Sequence, residues 1–308
     1  MKTRGVLGVI IVLFVIENTA FSGAIIPWGS SQWGRFDVPA GNDFKKVAAS
    51  HSYGIALRED GSLAGWSGSY GQSDVPSGNN FTDIAAGCYH GLALKSDGTI
   101  AAWGTPPDYA DYGQLNVPEG DYIDIAAGTY HSVALKSDGS LAAWGHSDYG
   151  GANCPLGNDF VSVSAGDCYS LALKSDGSLV AWGYDFRDCL NVPTTNDFVA
   201  ICAGAYHALA LREDGSIAAW GWPGSNQSAA PLGNDYAAVS AGYTHSVALR
   251  ADGSLLAWGD NSYGDITTVP VGNDFVAIAS GDYTAYAIIP EPSTIALLAL
   301  GGILIRKR

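Results

Sequence analysis

The chain has 308 residues, 47% of them hydrophobic and only 15% charged, so it carries enough apolar mass to bury a large core. Its formal net charge of −15 repels phosphate backbones and excludes nucleic acid as a partner class. Forty Gly beside a single Met suit many tight turns around β-structure and little helix.

Residues 1–23 read as a secretory signal peptide. Lys2 and Arg4 lead into the apolar run 5–16, and small residues follow around Ala20-Phe21-Ser22-Gly23-Ala24, with cleavage expected between Ala20 and Ala24. The apolar run is short of the roughly 20 residues that a spanning helix needs. Residues 24–289 then form one domain and 290–308 a separate tail. Without these two ends Lys and Arg fall to 10 and Asp and Glu to 28, a net charge of −18.

The domain is organised by a repeat whose clearest copy is His131-Ser132-Val133-Ala134-Leu135-Lys136-Ser137-Asp138-Gly139-Ser140-Leu141-Ala142-Ala143-Trp144-Gly145. Two short apolar runs flank Asp-Gly, a dipeptide that takes the positive φ angles of a tight two-residue hairpin turn. Asp60, Asp97, Asp138, Asp176, Asp214 and Asp252 are each followed by Gly, at steps of 37, 41, 38, 38 and 38 residues. Aligned on Trp-Gly, the units carry one copy more than there are Asp-Gly turns, at Trp28, Trp66 (followed by Ser67 in place of glycine), Trp103, Trp144, Trp182, Trp220 and Trp258. The odd copy is informative: residues 23–29 match the last strand of a repeat with nothing before it. At the far end, 275–281 and 285–289 match the earlier strands of a repeat with no Trp-Gly after them. The fragments complete one another, and residues 24–289 number 266, seven times 38. The expected fold is all-β, a seven-bladed β-propeller closed by pairing the N-terminal strand with the last blade, which leaves no sheet edge unprotected. Each unit has an inner strand such as 160–164, a glycine turn, the hairpin and a linker. The linkers end in Val-Pro at Val38-Pro39, Val75-Pro76, Val117-Pro118, Val192-Pro193 and Val269-Pro270, where proline suits only an outer edge strand.

The pattern Ala-Gly-x-x-His-Ser-x-Ala-Leu-x-x-Asp-Gly-x-x-x-x-Trp-Gly resembles the repeat of the regulator of chromosome condensation family, over nearly all of residues 24–289. The short units and linkers such as Gly71-Gln72-Ser73-Asp74-Val75-Pro76 are most similar in style to the secreted bacterial β-lactamase-inhibitor propeller. Export and acidity oppose the nucleotide-exchange and chromatin roles of the eukaryotic relatives. Scaffold resemblance does not carry ligand choice.

Candidate binding residues stand in the loops between inner strand and hairpin: Cys88-Tyr89, Thr129-Tyr130, Cys168-Tyr169, Ala205-Tyr206, Tyr243-Thr244 and Asp282-Tyr283. Loops of one type lie on one propeller face, so Tyr89, Tyr130, Tyr169, Tyr206, Tyr243 and Tyr283 are expected around the mouth of the axis, with His51 and Tyr53 in the remaining unit. Tyrosine on a rigid loop gives large contact area at small entropy cost. Two readings stand, a protein-binding face of the kind the resemblance implies and rings that merely pack on adjacent loops. For a second aromatic set in the linkers, Trp33, Tyr70, Tyr112, Tyr149, Phe186, Trp222 and Tyr263, turn packing is the stronger explanation.

His90, His131, His207 and His245 share one repeat position, which Tyr53, Tyr169 and Thr284 hold in the other units. Spacing between units exceeds the about 2 Å reach of a metal ligand, which favours histidines bonded to nearby backbone over a metal ring. His146 lies in a linker without an evident partner. Of the five cysteines, Cys168 and Cys202 occupy comparable inner parts of successive repeats and are candidates for a disulfide. No nucleophile elbow, zinc signature or phosphate loop is present, and no catalytic residue, metal or cofactor is assigned.

The tail opens with Pro290-Glu291-Pro292-Ser293, continues through the apolar run 294–305 and ends in Arg306-Lys307-Arg308. In that order the three parts resemble the PEP-CTERM sorting tail of exported bacterial proteins. The resemblance implies exosortase, a membrane transpeptidase, as a partner during export; it would recognise Pro290, Glu291 and Pro292 and remove the tail, leaving contact with the membrane only transient. A plain tail anchor is the alternative. The function expected is a non-catalytic binding scaffold at the cell surface or in extracellular matrix, its ligand a protein or an extracellular polysaccharide. The alternatives are a carbohydrate-acting enzyme with a site assembled from several blades, and a purely structural matrix protein.

Overall fold

The structure, a computed structural model, describes residues 22–31, 35–105, 107, 111–147, 151–185, 187–262 and 267–290. The signal-peptide residues 1–21, Glu291, Pro292 and the rest of the tail lie outside them, as do Trp33, Tyr149, Phe186 and Tyr263. Among the described residues every regular element is a strand, and no helix is long and apolar enough to cross a membrane. The strands are β1 (Gly23–Gly29), β2 (Phe44–Ala49), β3 (Tyr53–Arg58), β4 (Leu63–Ser67), β5 (Phe81–Ala86), β6 (Gly91–Lys95), β7 (Ile100–Trp103), β8 (Tyr122–Ala127), β9 (His131–Lys136), β10 (Leu141–Gly145), β11 (Phe160–Ala165), β12 (Tyr169–Lys174), β13 (Leu179–Gly183), β14 (Phe198–Ala203), β15 (His207–Arg212), β16 (Ile217–Gly221), β17 (Tyr236–Ala241), β18 (His245–Arg250), β19 (Leu255–Gly259), β20 (Ala277–Ser280) and β21 (Thr284–Pro290).

Five sheets have three antiparallel strands each, and a sixth runs β20-β21-β1-β2-β3-β4. Within the sixth, β1 pairs with β21 from Gly23↔Pro290 to Gly29↔Thr284, whereas β1 meets β2 only at Gly23↔Phe44. The N-terminal strand thus takes the third place beside β20 and β21, the place that Trp-Gly strands hold elsewhere. Val-Pro segments form no strand; Val38, Val75, Val117, Val192 and Val269 pack as apolar plugs at the edges of the clusters.

The middle strand of each unit is buried on both faces because it lies between two strands in its own sheet and between two neighbouring sheets in space. In β9, Ser132, Val133, Ala134 and Leu135 are all fully buried. The apolar core is accordingly divided into clusters between units. One joins Val133, Leu135 and Leu141 to Phe160, Val163 and Trp182 of the following unit. Another brings Ile25, Phe44 and Trp66 against Ala279, Tyr286 and Ile288, so the two ends of the domain share a core. Each large side chain sealed this way is worth about 1.5–3 kcal/mol.

Hydrogen bonds repeat the stitching between units. The indole Nε1 of Trp66, Trp103, Trp144, Trp182, Trp220 and Trp258 donates to the carbonyl of Arg35, Gln72, Gln114, Gly151, Cys189 and Gln227, always 30 or 31 residues earlier, at 2.7–3.3 Å. The hairpin turn differs from the two-residue form expected. Lys136 N donates to Ser140 O at 2.8 Å and Gly139 N to Lys136 O at 2.9 Å, which makes a three-residue loop, and only the glycine has positive φ, 81°. Asp138 instead accepts from Ser140 N and Oγ at 2.9 and 2.6 Å, and this side-chain turn holds it at ordinary φ. No disulfide forms: all five cysteines are free. Cys168 and Cys202 stand four positions apart in the repeat, roughly 13 Å of extended chain, so one sits in a loop and the other on β14.

Candidate binding face

Inner strands β2, β5, β8, β11, β14, β17 and β20 surround a central cavity of about 640 Å³. At its upper end the chain turns through Gly87, Gly128, Gly166, Gly204, Gly242 and Gly281. A Cβ on any of them would meet the backbone oxygen of the next unit's turn at 2.4–2.8 Å, ending with Gly281 against Ser50. Only glycine lets the turns come this close, and the contact fixes where the next three residues of each loop point.

The first residue after the glycine lines the cavity: Cys88, Thr129, Asp167, Ala205, Tyr243 and Asp282, with His51 after Ser50. The second is Tyr89, Tyr130, Cys168, Tyr206, Thr244, Tyr283 or Ser52, and the third is Tyr53 or one of the residues aligned with it. The six tyrosines grouped by sequence therefore occupy three different positions. Tyr243 is at the first, and Tyr89, Tyr130, Tyr206 and Tyr283 are at the second. Tyr169 is at the third and leaves the set: it is 2% exposed, and its hydroxyl donates to His207 O at 2.6 Å. Tyr53 is equally buried and donates to His90 O at 2.7 Å.

The third position is a belt of latches. His90, His131 and His207 each place Nε2 at 2.8–2.9 Å from the hydroxyl of Ser132, Ser170 and Ser246 in the next unit. Their partners are side chains, not the backbone groups expected. Burial pushes His90 and His207 down to about 3, and His131 and His245 down to about 4, so all four are neutral imidazoles. Among the described residues no group of three or more His, Cys, Asp or Glu stands close enough to hold a metal ion.

The remaining tyrosines form two arcs with the linker aromatics. In the first, Tyr70 meets Tyr89 edge-on at 5.4 Å, Tyr89 stacks on Tyr130 at 5.6 Å, and Tyr112 touches both Tyr130 and His146, at 5.5 and 3.9 Å. In the second, Trp222, Tyr206, Tyr243 and Tyr283 follow one another at 6.0, 5.0 and 5.8 Å, and the Arg35 guanidinium lies 5.6 Å from the Tyr283 ring. Tyr70, Tyr112 and Trp222 are thus part of the same surface as the loop tyrosines. His146, 7% exposed, finds its place here too.

Two charged features escaped the sequence reading. His51 Nδ1 lies 2.5 Å from Asp282 Oδ2, and this bond raises the imidazole pKa. At the opposite end of the cavity Lys46 pairs with Asp83, while Asp124 accepts from Ser162 Oγ and Val163 N, both at 3.0 Å. Burial, then the neighbouring Asp83, pushes the Asp124 carboxyl up to about 6. The sequence signal was available, since Lys46, Asp83, Asp124 and Ser162 occupy one repeat position, yet nothing in a single repeat shows that successive units touch there.

This arrangement defines an all-β protein of RCC1-like repeats. The sequence profile of the Regulator of chromosome condensation (RCC1) repeat matches residues 122–150, 160–188, 198–227 and 236–265. A sequence search of curated proteins finds no match. Prp20p from Saccharomyces cerevisiae superposes with a TM-score of 0.73 at 15% identity, over 92% of this chain and 95% of its own. The ectodomain of the Physcomitrella patens receptor kinase CR4 gives 0.68 at 22% identity over 80% and 70%, and human WBSCR16 gives 0.69 at 16% over 87% and 99%. At these identities the likeness is one of fold.

Proposed function

We propose that the protein is an exported, non-catalytic seven-bladed propeller that holds a protein partner on its tyrosine-bearing face. The observation that carries this is the pair of aromatic arcs around the cavity mouth, with ring centroids 5.0–5.8 Å apart along the loop tyrosines. Rings braced by one another lose little freedom on binding, which is what an anchor surface needs. Seven blades follow if the six-stranded sheet is two units joined at one residue pair; the ladder of β1 with β21 and the shared core of the two ends support a closed ring. Protein binding is in keeping with Prp20p, which binds Gsp1p and histones. Acidity directs this chain to other partners.

Affinity capture tests the face. A variant lacking the Tyr89, Tyr130 and Tyr206 rings is expected to retain a captured partner at least tenfold less well; equal retention overturns the assignment. For export, the Lys2/Arg4-led leader and the Pro290-Glu291-Pro292 tail support exosortase sorting to the cell surface or medium. Mass spectrometry of the extracellular protein should find a chain that begins between Ala20 and Ala24 and lacks residues 294–308. A full-length chain held in the cytoplasm overturns that part.

A further inference from the structure

The two aromatic arcs leave a gap between Tyr130 and Tyr206, where the repeat has Cys168 at the second loop position in place of tyrosine. The missing ring opens a pocket of about 300 Å³ lined by Tyr130, Asp167, Cys168, Tyr169, Tyr184, Ala205 and Tyr206. Its chemistry is one-sided. The rings of Tyr130, Tyr184 and Tyr206 offer π faces over the buried Tyr169, Asp167 is the one charged side chain, and no Asn, Gln, Lys or Arg side chain lines it. Burial raises the Asp167 carboxyl above the ordinary carboxylate range, and the neighbouring Thr129 and Tyr206 hydroxyls act against that by favouring its charged form. The Tyr206 hydroxyl is in turn 3.0 Å from that of Tyr243, so the acid is tied into the second arc. A sugar ring needs several donors and acceptors for its hydroxyls, and of the four tyrosine hydroxyls in the lining two are already engaged, Tyr169 with His207 O and Tyr206 with Tyr243. A cation needs ring faces and an anion, and both are here. The domain's excess of 28 acidic over 10 basic residues attracts the same charge from a distance.

We propose that this pocket receives a cationic side chain, lysine or arginine, projecting from the protein held by the aromatic face. The proposal rests on the binding-face reading above and adds to it the chemistry of the anchor. Cys168 is the specificity element, because its small side chain is what leaves room. Asp167 supplies the counter-charge, and Tyr130 and Tyr206 form the walls.

The test titrates the protein with Nα-acetyl-lysine methylamide, Nα-acetyl-arginine methylamide, Nα-acetyl-norleucine methylamide and cellobiose, following the amide NMR signals of Cys168 and Ala205. The two cationic probes should shift them and norleucine should not. Affinity should fall at least tenfold in Asp167→Asn, and binding should vanish in Cys168→Tyr, which restores the ring present in neighbouring repeats. Should Cys168→Tyr fail to fold, the near-isosteric Asp167→Asn decides. Norleucine binding as well as lysine, cellobiose binding that survives Asp167→Asn, or no shift with any probe each overturns the pocket. Tyr89→Ser and Tyr283→Ser lie outside it and keep the two readings apart. Partner capture lost in them without probe binding rejects the pocket and leaves the face standing. Probe binding with capture unchanged in both rejects the face, and with it the assignment of the cation to a partner.

Discussion

Replacing Trp28 by alanine will destabilise the whole domain by about 3–5 kcal/mol, as much as the same change at Trp144. Both indoles are buried, 2% and 6% exposed, and both complete a cluster between two units. Trp144 caps Leu92, Leu94 and Ile125. Trp28 caps Val247, Leu249 and Phe275, although more than 200 residues separate it from them. The comparison matters because β1 is the element through which a ring would close. If β1 is the third strand of the last unit, loss of its anchor opens the β21 edge and exposes a row of unpaired backbone groups. The domain then melts as one body at lower denaturant, in parallel with Trp144→Ala. If β1 is an appendage, Trp28→Ala costs less than about 1 kcal/mol and the main transition stays in place. Guanidinium unfolding of the two variants beside the parent protein separates these outcomes.

The units were legible because Asp-Gly and Trp-Gly are tied to backbone demands that recur from unit to unit, even after Trp66, where Ser67 takes the glycine's positive φ at 62°. Gly139 must adopt positive φ, and Trp144 must reach a carbonyl in the preceding linker. The surplus Trp-Gly copy likewise marked residues 23–29 as the strand that runs beside β21. The face was legible only as a composition. Tyr169 and Tyr206 stand in similar sequence surroundings, yet a one-residue displacement after the glycine buries the first and leaves the second at the mouth. In extended chain one residue reverses the side to which a side chain points, so a loop aligned by its tyrosine in place of its glycine assigns the wrong side. The Lys46–Asp83 pair and the His51–Asp282 bond were invisible for another reason. Each links two repeats, 37 and 231 residues apart, and only the arrangement of units in space brings them together.

Acidification from pH 7 to pH 5 will remove a large part of the domain's stability while the carboxylates are still mostly ionised. His90, His131, His207 and His245 are 0–2% exposed and have pKa values depressed from the ordinary 6.5 to about 3 or 4. Above pH 6.5 they are neutral in both folded and unfolded chains, and the full stability is present. As the pH falls below that value the unfolded chain takes up protons that the folded one refuses, so stability is lost until the folded values near 3–4 are reached. Each group contributes about 1.4 kcal/mol per pH unit, roughly 8 kcal/mol for four of them at pH 5. Typical domains hold only about 5–15 kcal/mol in all. Asp124 works in the opposite direction. Its folded pKa, about 6, lies above the ordinary 3.8, so its burial is a cost at neutral pH that is relieved as pH falls from 6. Asp167, raised by burial, and His51, raised by its bond to Asp282, act in the same sense as Asp124, and these three offset only a fraction of four buried imidazoles. The repeat supplies the control: Tyr53 and Tyr169 fill the same position in other units, so His131→Tyr removes one titrating ring at a site built to take tyrosine. Denaturant midpoints at pH 7 and pH 5 should move apart in the parent protein, and by about a quarter less in the variant. An unchanged midpoint at pH 5, or a variant with the parent's full pH dependence, shows that the latch histidines do not carry the effect.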